Sequence, residues 1–298
     1  MKTSFVAGLA LSCLTAGALA AEPARYVSPY EALMAFVAAL DGGGPEAVLT
    51  VFGPENQELI STGDPGQDKK NRIALLNMYQ EGYRFEPQQD GSIVLAFGAD
   101  AWPFPVPLAR TGDSWAFDAA AGYDEVLNRE IGGNELEVID LVDAYGDVQA
   151  AFRLTDYDDD GIMEFARQII ATPGTRDGLY WPGPDSPLGE RLARASADGF
   201  SDGEQDFQPE PYSGYYFRIL TGQTDAAPGG AMSYMVNDDM LAGHALLAVP
   251  ADYGISGVHS FMVSENGLIL QADLGENTLE IARDMLLYDP SETWSPVQ

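Results

Sequence analysis

The chain has 298 residues, with 46 acidic against 15 basic side chains and a formal charge of −31 at pH 7. A charge of that sign repels nucleic acid and anionic lipid, and it favours divalent cations or basic partners unless it serves only to keep the protein in solution. An apolar fraction of 46% is that of a globular protein, so disorder over long stretches is excluded and the length suits one large domain or two moderate ones.

Residues 1–20 follow the secretory pattern, with Lys2, an apolar run from Phe5 to Leu19, and Ala18-Leu19-Ala20 as the cleavage site. The mature chain is then expected to start at Ala21 and to be periplasmic or secreted, with no transmembrane segment. Cys13, the one cysteine, lies inside that signal. A lipid anchor at Cys13 is disfavoured, because the apolar core before it is unusually short for a signal peptide. A mature chain without cysteine has no disulfide framework, no thiol nucleophile and no cysteine-type zinc site.

Ser28-Pro29-Tyr30-Glu31 is a capping box with proline at the first helical position, and it predicts a helix through Leu33, Phe36, Val37 and Leu40 that stops at Gly42-Gly43-Gly44. Pro45 opens a second helix, and a third is expected from Asp68 to Tyr79. The period then changes to two. Tyr83 to Glu86, Ser92 to Phe97, Pro103 to Leu108 and Ser114 to Phe117 read as four short strands, with turns at Asp90-Gly91 and Thr111-Gly112-Asp113. Proline alternates with large apolar residues from Trp102 to Pro107, which places that strand at an edge.

From Tyr123 to Leu154 apolar residues recur every three or four positions and predict a long helix, with a break or bend at Gly132-Gly133. Asp156-Tyr157-Asp158-Asp159-Asp160-Gly161 follows, the opening of a calcium-binding loop, in which alternate carboxylates turn inward and glycine allows the sharp turn. A short helix is expected through Phe165, Ile169 and Ile170, and another near Ser186 to Glu190. Strands are expected at Gly214 to Leu220, Ala231 to Val236, His244 to Val249, Val258 to Val263 and Leu268 to Gln271, with a last helix through Leu279, Ala282 and Met285.

These patterns give an α+β protein: residues 21–121 as helices plus an antiparallel meander of cystatin or NTF2-like kind, and residues 122–298 as a long helix packed on an antiparallel sheet. The second part resembles the globular domain of pilins and pseudopilins, through the helix ending in D-x-D-x-D-G, Gly178-Leu179-Tyr180-Trp181 and Gly214-Tyr215-Tyr216-Phe217. It lacks the pilin's apolar N-terminal helix. Through Trp102-Pro103-Phe104-Pro105, Gly122 with Glu125 to Arg129, Ile131-Gly132 with Asn134-Glu135, Asp177 to Pro182, Ser186 to Gly189, Gly214 to Phe217 and Ala248 to Gly257, nearly the whole mature chain resembles the bacterial envelope family known as domain of unknown function 2950. Gly133 departs from it, standing where the family pattern has a basic residue. The resemblance implies export and architecture but no activity.

The candidate ligands of calcium are Asp156, Asp158 and Asp160 at loop positions one, three and five, the Ile162 carbonyl at seven and Glu164 at nine. Position twelve is Arg167, which cannot replace a bidentate glutamate, so a complete EF-hand is excluded. A shorter loop could complete its shell with Glu164 or a distant acid such as Asp177, and the bland alternative is a solvated acidic turn. His244 and His259 lack a third zinc ligand and read as hydrogen-bonded strand residues. The function expected is a non-catalytic binding or interaction module, with an unidentified envelope protein or ligand as partner. The alternatives are an envelope hydrolase near Asp177, Tyr180, Trp181 and His244, and an apolar ligand carrier with a cavity lined by Phe36, Phe85, Phe97 and Trp115.

Overall fold

The computed structural model describes residues 23–61, 64–198, 200–201 and 206–297, so the expected signal peptide and Cys13 lie outside the described residues. The chain is α+β and divides into two compact units between Val126 and Leu127.

The first unit starts with α1 (Pro29–Ala38), capped by the Ser28 hydroxyl, which accepts the Glu31 N–H at 3.2 Å. Glu31 reaches one residue past the cap and accepts from Val27 N–H at 3.4 Å. The helix does not stop at the glycines. It widens into a π turn over Ala39–Gly43, and Gly44, at φ 67°, redirects the chain into α2 (Gly44–Phe52). After α3 (Gln57–Ile60) comes α4 (Pro65–Glu81), longer at both ends than its apolar pattern because Asp64 caps it and Pro65 occupies its first turn. No residue of α4 is fully buried; its inner side rests half-buried Leu75, Leu76, Met78 and Tyr79 on the core.

The meander follows as β1 (Tyr83–Pro87), β2 (Ile93–Phe97), β4 (Leu108–Thr111) and β5 (Ser114–Phe117), paired antiparallel in that order. The expected strand at Pro103 to Leu108 is replaced by β3 (Trp102–Pro103), a branch on β2, and by a non-strand passage into β4. Its three prolines cannot donate to a ladder. Phe104 and Val106 from this passage are buried in the core. There the Phe36 ring meets Phe52, Phe104 and Phe117 with centroids 5.0 to 5.5 Å apart.

Asp118 opens α5 (Ala119–Phe152), accepting from Ala121 N–H at its carboxylate and from Gly122 N–H at its carbonyl. Gly122 is obligatory, since a Cβ there would stand 2.7 Å from a Val106 methyl. The expected break at Gly132-Gly133 is absent, and α5 is one uninterrupted helix. Two glycines cost about 1 kcal/mol each against alanine. The buried stripe Val138, Val142, Tyr145, Gln149 and Phe152 offsets that by packing on the second unit's sheet.

That sheet is antiparallel in the order β10 (Tyr215–Leu220), β15 (Ala245–Pro250), β16 (His259–Ser264), β17 (Leu270–Asp273) and β18 (Ser295–Pro296), and α7 (Thr278–Asp284) lies against β15. Where a helix through Ile169 and Ile170 was expected, β6 (Gln168–Ile170) pairs parallel with β7 (Gly178–Tyr180). Apolar residues at positions 165, 169 and 170 suit either structure. Gly178 settles the choice, because it lets the strands approach until a Cβ would be 2.5 Å from the Ala171 nitrogen. Short pieces complete the unit: α6 (Glu190–Ala193), β8 (Phe200–Ser201) with β9 (Asp206–Phe207), β11 (Gly222–Gln223) with β12 (Met232–Ser233), and β13 (Met235–Val236) with β14 (Asp239–Met240). The single strand expected over Ala231 to Val236 is thus split around buried Tyr234, whose N–H bonds the Thr221 carbonyl.

Candidate functional site

The acidic loop leaves the C-terminus of α5 and returns at Phe165. Asp159 and Gly161 take left-handed conformations, at φ 62° and 89°, and these two reversals coil the segment so that carboxylate oxygens of Asp156, Asp158 and Asp160 lie within 4.8 Å of one another. Asp156 Oδ2 accepts from Gly161 N–H at 2.9 Å, and Asp160 Oδ1 from Ile162 N–H at 2.7 Å. Asp156 Oδ1 is enclosed and has no hydrogen-bond partner among the described residues.

The electrostatics within the loop conflict. The Gly161 N–H, more than any other group, lowers the Asp156 carboxyl. Desolvation and then the Asp160 charge raise Asp158. Glu164 stands outside the close triad, and its carboxyl is raised by burial first and then by Asp239 and Asp158. Asp239 is an addition that loop spacing could not supply, because it arrives on β14. The Ile162 side chain is exposed.

Both ends of the loop are fixed by buried groups. On the outgoing side the Tyr157 ring lies 4.7 Å from Phe152 and 5.1 Å from Trp181. On the returning side Gln149, fully buried on α5, donates to the Ala166 carbonyl and accepts from the Ala166 N–H, both at 2.9 Å, and also donates to the Tyr145 hydroxyl. The neighbouring Phe165 bonds Met240 through its backbone, and its ring lies 4.7 Å from His244 and under the Arg153 guanidinium.

Asp177 does not join the loop. Its two oxygens accept from Arg167, the Thr172 N–H and hydroxyl, Thr175 and Gln168. Burial opposes its ionisation, yet these donors hold the carboxyl well below the usual carboxylate range. Tyr180 and Trp181 are buried beside it in the core. His244 is 3% exposed, its Nδ1 has no partner among the described residues, and its ring is edge-on to Tyr145 at 5.1 Å. Burial, with the Arg153 charge, pushes its pKa down to about 4. Asp177, Tyr180, Trp181 and His244 therefore present no convergent acid–base pair. Two surface hollows flank α7 and share Leu279. One, of 350 Å³, lies over Leu247 and Val249, and the other, of 600 Å³, lies between the residues after β15 and Glu276 to Glu280; none of the four residues lines either.

The histidine with a carboxylate neighbour is His259. Glu135 of α5 accepts from the N–H groups of Val258 and His259, both at 2.9 Å, and its Oε2 lies 3.2 Å from His259 Nδ1. Asn134 bonds the Ser256 carbonyl at 3.0 Å. Gly257 packs directly on Tyr215, whose hydroxyl donates to the His259 carbonyl at 2.8 Å. Sequence reasoning did not assign Glu135 this role, although Asn134-Glu135 is one of the strings that carry the family resemblance. The strings at Asn134-Glu135, Gly214 to Phe217 and Ala248 to Gly257 thus meet as one junction between α5 and the sheet.

No curated protein and no solved structure matches the chain. A family profile described as "Protein of unknown function (DUF2950)" matches residues 24–297, and the chain belongs to that family.

Proposed function

We propose that this protein is an exported, non-catalytic binding or interaction module whose acidic loop takes calcium in a structural role. The observation that carries the metal reading is the enclosed Asp156 Oδ1, left without a donor among the described residues on a carboxylate that converges with those of Asp158 and Asp160. Hard oxygen donors suit calcium, which tolerates irregular shells of six to eight oxygens. Asp156, Asp158 and Asp160 would hold the ion, with the Ile162 carbonyl and Glu164 as the further ligands. The ion would neutralise clustered charge on a segment whose ends are already fixed by Tyr157 and Gln149. A non-catalytic role is supported by the saturation of Asp177 and the enclosure of His244. Kinship with pilin globular domains is supported by the stripe of α5 lying on an antiparallel sheet, and placement in the periplasm or outside the cell by the pattern of residues 1–20.

At a hundredfold excess of calcium over its Kd, the unfolding temperature is expected to rise by about 5 to 10 °C. Asp158→Asn with Asp160→Asn should abolish the rise. Equal unfolding temperatures in millimolar calcium and in chelator would sink the metal reading and leave the loop as a solvated turn.

A further inference from the structure

β1 is an edge strand with one side open. Among the described residues only β2 pairs with it, in the register Tyr83 to Phe97 through Pro87 to Ile93. Gly98 N–H bonds the Gly82 carbonyl and Gln88 N–H bonds the Ser92 carbonyl. Antiparallel pairs alternate, so Arg84 with Ala96 and Glu86 with Val94 belong to the same hydrogen-bonded set. The N–H and C=O of Tyr83 and Phe85, and the C=O of Pro87, therefore face away from β2. The Leu95 carbonyl, opposite Phe85, agrees with this phase, since it turns away from β1 to accept from Phe104. Among the described residues nothing hydrogen-bonds the outward groups of Tyr83 and Phe85. An open edge of this kind is a template for another strand.

The sequence of the strand, Tyr-Arg-Phe-Glu-Pro, specifies which strand fits. Laid antiparallel against itself with Phe85 opposite Phe85, it sets Arg84 of each copy opposite Glu86 of the other, on the face away from the core. Neither residue has an ion pair in its own chain among the described residues, and Arg84 is exposed. Phe85 has both outward backbone groups and exchanges two hydrogen bonds with its counterpart. Pro87, which has no N–H, falls opposite Tyr83, where its carbonyl accepts the Tyr83 N–H. The Tyr83 ring, 38% exposed and stacked 5.4 Å from Tyr79, lies on the same side of the strand as Phe85 and is covered further by the added strand. An arbitrary extended peptide would supply the backbone bonds but not the two reciprocal charge pairs. We infer that β1 pairs antiparallel with β1 of a second copy of this chain, in register at Phe85, forming a twofold dimer through a continuous sheet.

The test is sedimentation of the purified protein over a range of concentrations, with Arg84→Glu, Glu86→Arg and the double variant alongside. The wild type should shift from monomer towards twice the monomer mass. Each single variant sets like charges opposite each other twice and should weaken association about tenfold, while the double variant, with the charges exchanged, should return to within about threefold of wild type. Both positions lie on the outer side of an edge strand, and unchanged circular dichroism and unfolding temperature would show that the fold is kept. A wild type that stays monomeric overturns the inference. So does a dimer indifferent to the single variants, which would associate elsewhere, or a double variant as weak as the singles.

Discussion

Gly257→Ala should destabilise the second unit by about 3 kcal/mol, read as a lower urea midpoint, since over-packing of a closed core is met by backbone and side-chain displacement. A Cβ at 257 would stand 2.0 Å from the Tyr215 hydroxyl oxygen and 2.5 Å from its Cζ. Tyr215 cannot yield, because it is 0% exposed and its hydroxyl is bonded to His259. Adding Tyr215→Phe to the variant should recover only part of the loss, because the ring carbon still collides. Gly133→Ala is the contrasting case: nothing lies within 4 Å of a Cβ there, and the helix should gain up to about 1 kcal/mol. Equal effects of the two substitutions would mean that the junction between α5 and the sheet is not closely packed.

Acid should weaken the protein in a window set by His244. Its pKa is about 4 in the folded chain against the ordinary histidine value of 6.5, so the unfolded chain binds more protons between those values. The stability contributed by the neutral imidazole is complete above the unfolded value and falls as pH drops towards 4, by about 3 kcal/mol in all. Among the described residues the groups facing the ring are the Tyr145 and Phe165 rings and, beyond Phe165, the Arg153 guanidinium, so a proton there meets no counter-charge from them. Asp158 and Glu164 act in the opposite direction. Their carboxyls are raised, and protonation relieves the folded state. Asp177, held low, weakens the fold only once pH falls below the ordinary carboxylate range. His244→Phe keeps an aromatic surface and removes the titration. Urea midpoints from pH 7.5 to 4.5 should be nearly level in that variant and fall in the wild type. The same fall in both would assign the acid sensitivity to other groups.

Local chemistry made much of the fold legible. The Ser28-Pro29-Glu31 cap, the turn residues of the meander and the strand-like runs of β10, β15 and β16 were legible in this way, and these strands stand within a residue of where the pattern puts them. The sequence misled where two readings share a pattern or where a distant contact decides. Phe165 to Ile170 has spacing that suits helix or strand, and the partner strand at Gly178 chose between them. Gly132-Gly133 marked a break or bend on propensity alone, and the break is absent because the buried stripe from Val138 to Phe152 carries the helix through. In the candidate site the triad of aspartates was readable because its three members are adjacent in the chain. Asp239, the Gln149 clamp and the partnership of Glu135 with His259 were not, since each joins residues separated by many positions.

Gln149 closes the excursion after α5 by imitating a neighbouring backbone: one side chain satisfies both the N–H and the C=O of Ala166. The core therefore registers where the chain comes back and not how far it travelled. Loop closure is insensitive to length, with each doubling costing only about 0.6 kcal/mol. With Tyr157 holding the outgoing end on Phe152 and Trp181, the segment between Asp158 and Glu164 is thus an interchangeable cassette, in which a lineage could lengthen, shorten or replace the acidic turn, and with it any ion chemistry, without renegotiating the packing beneath it.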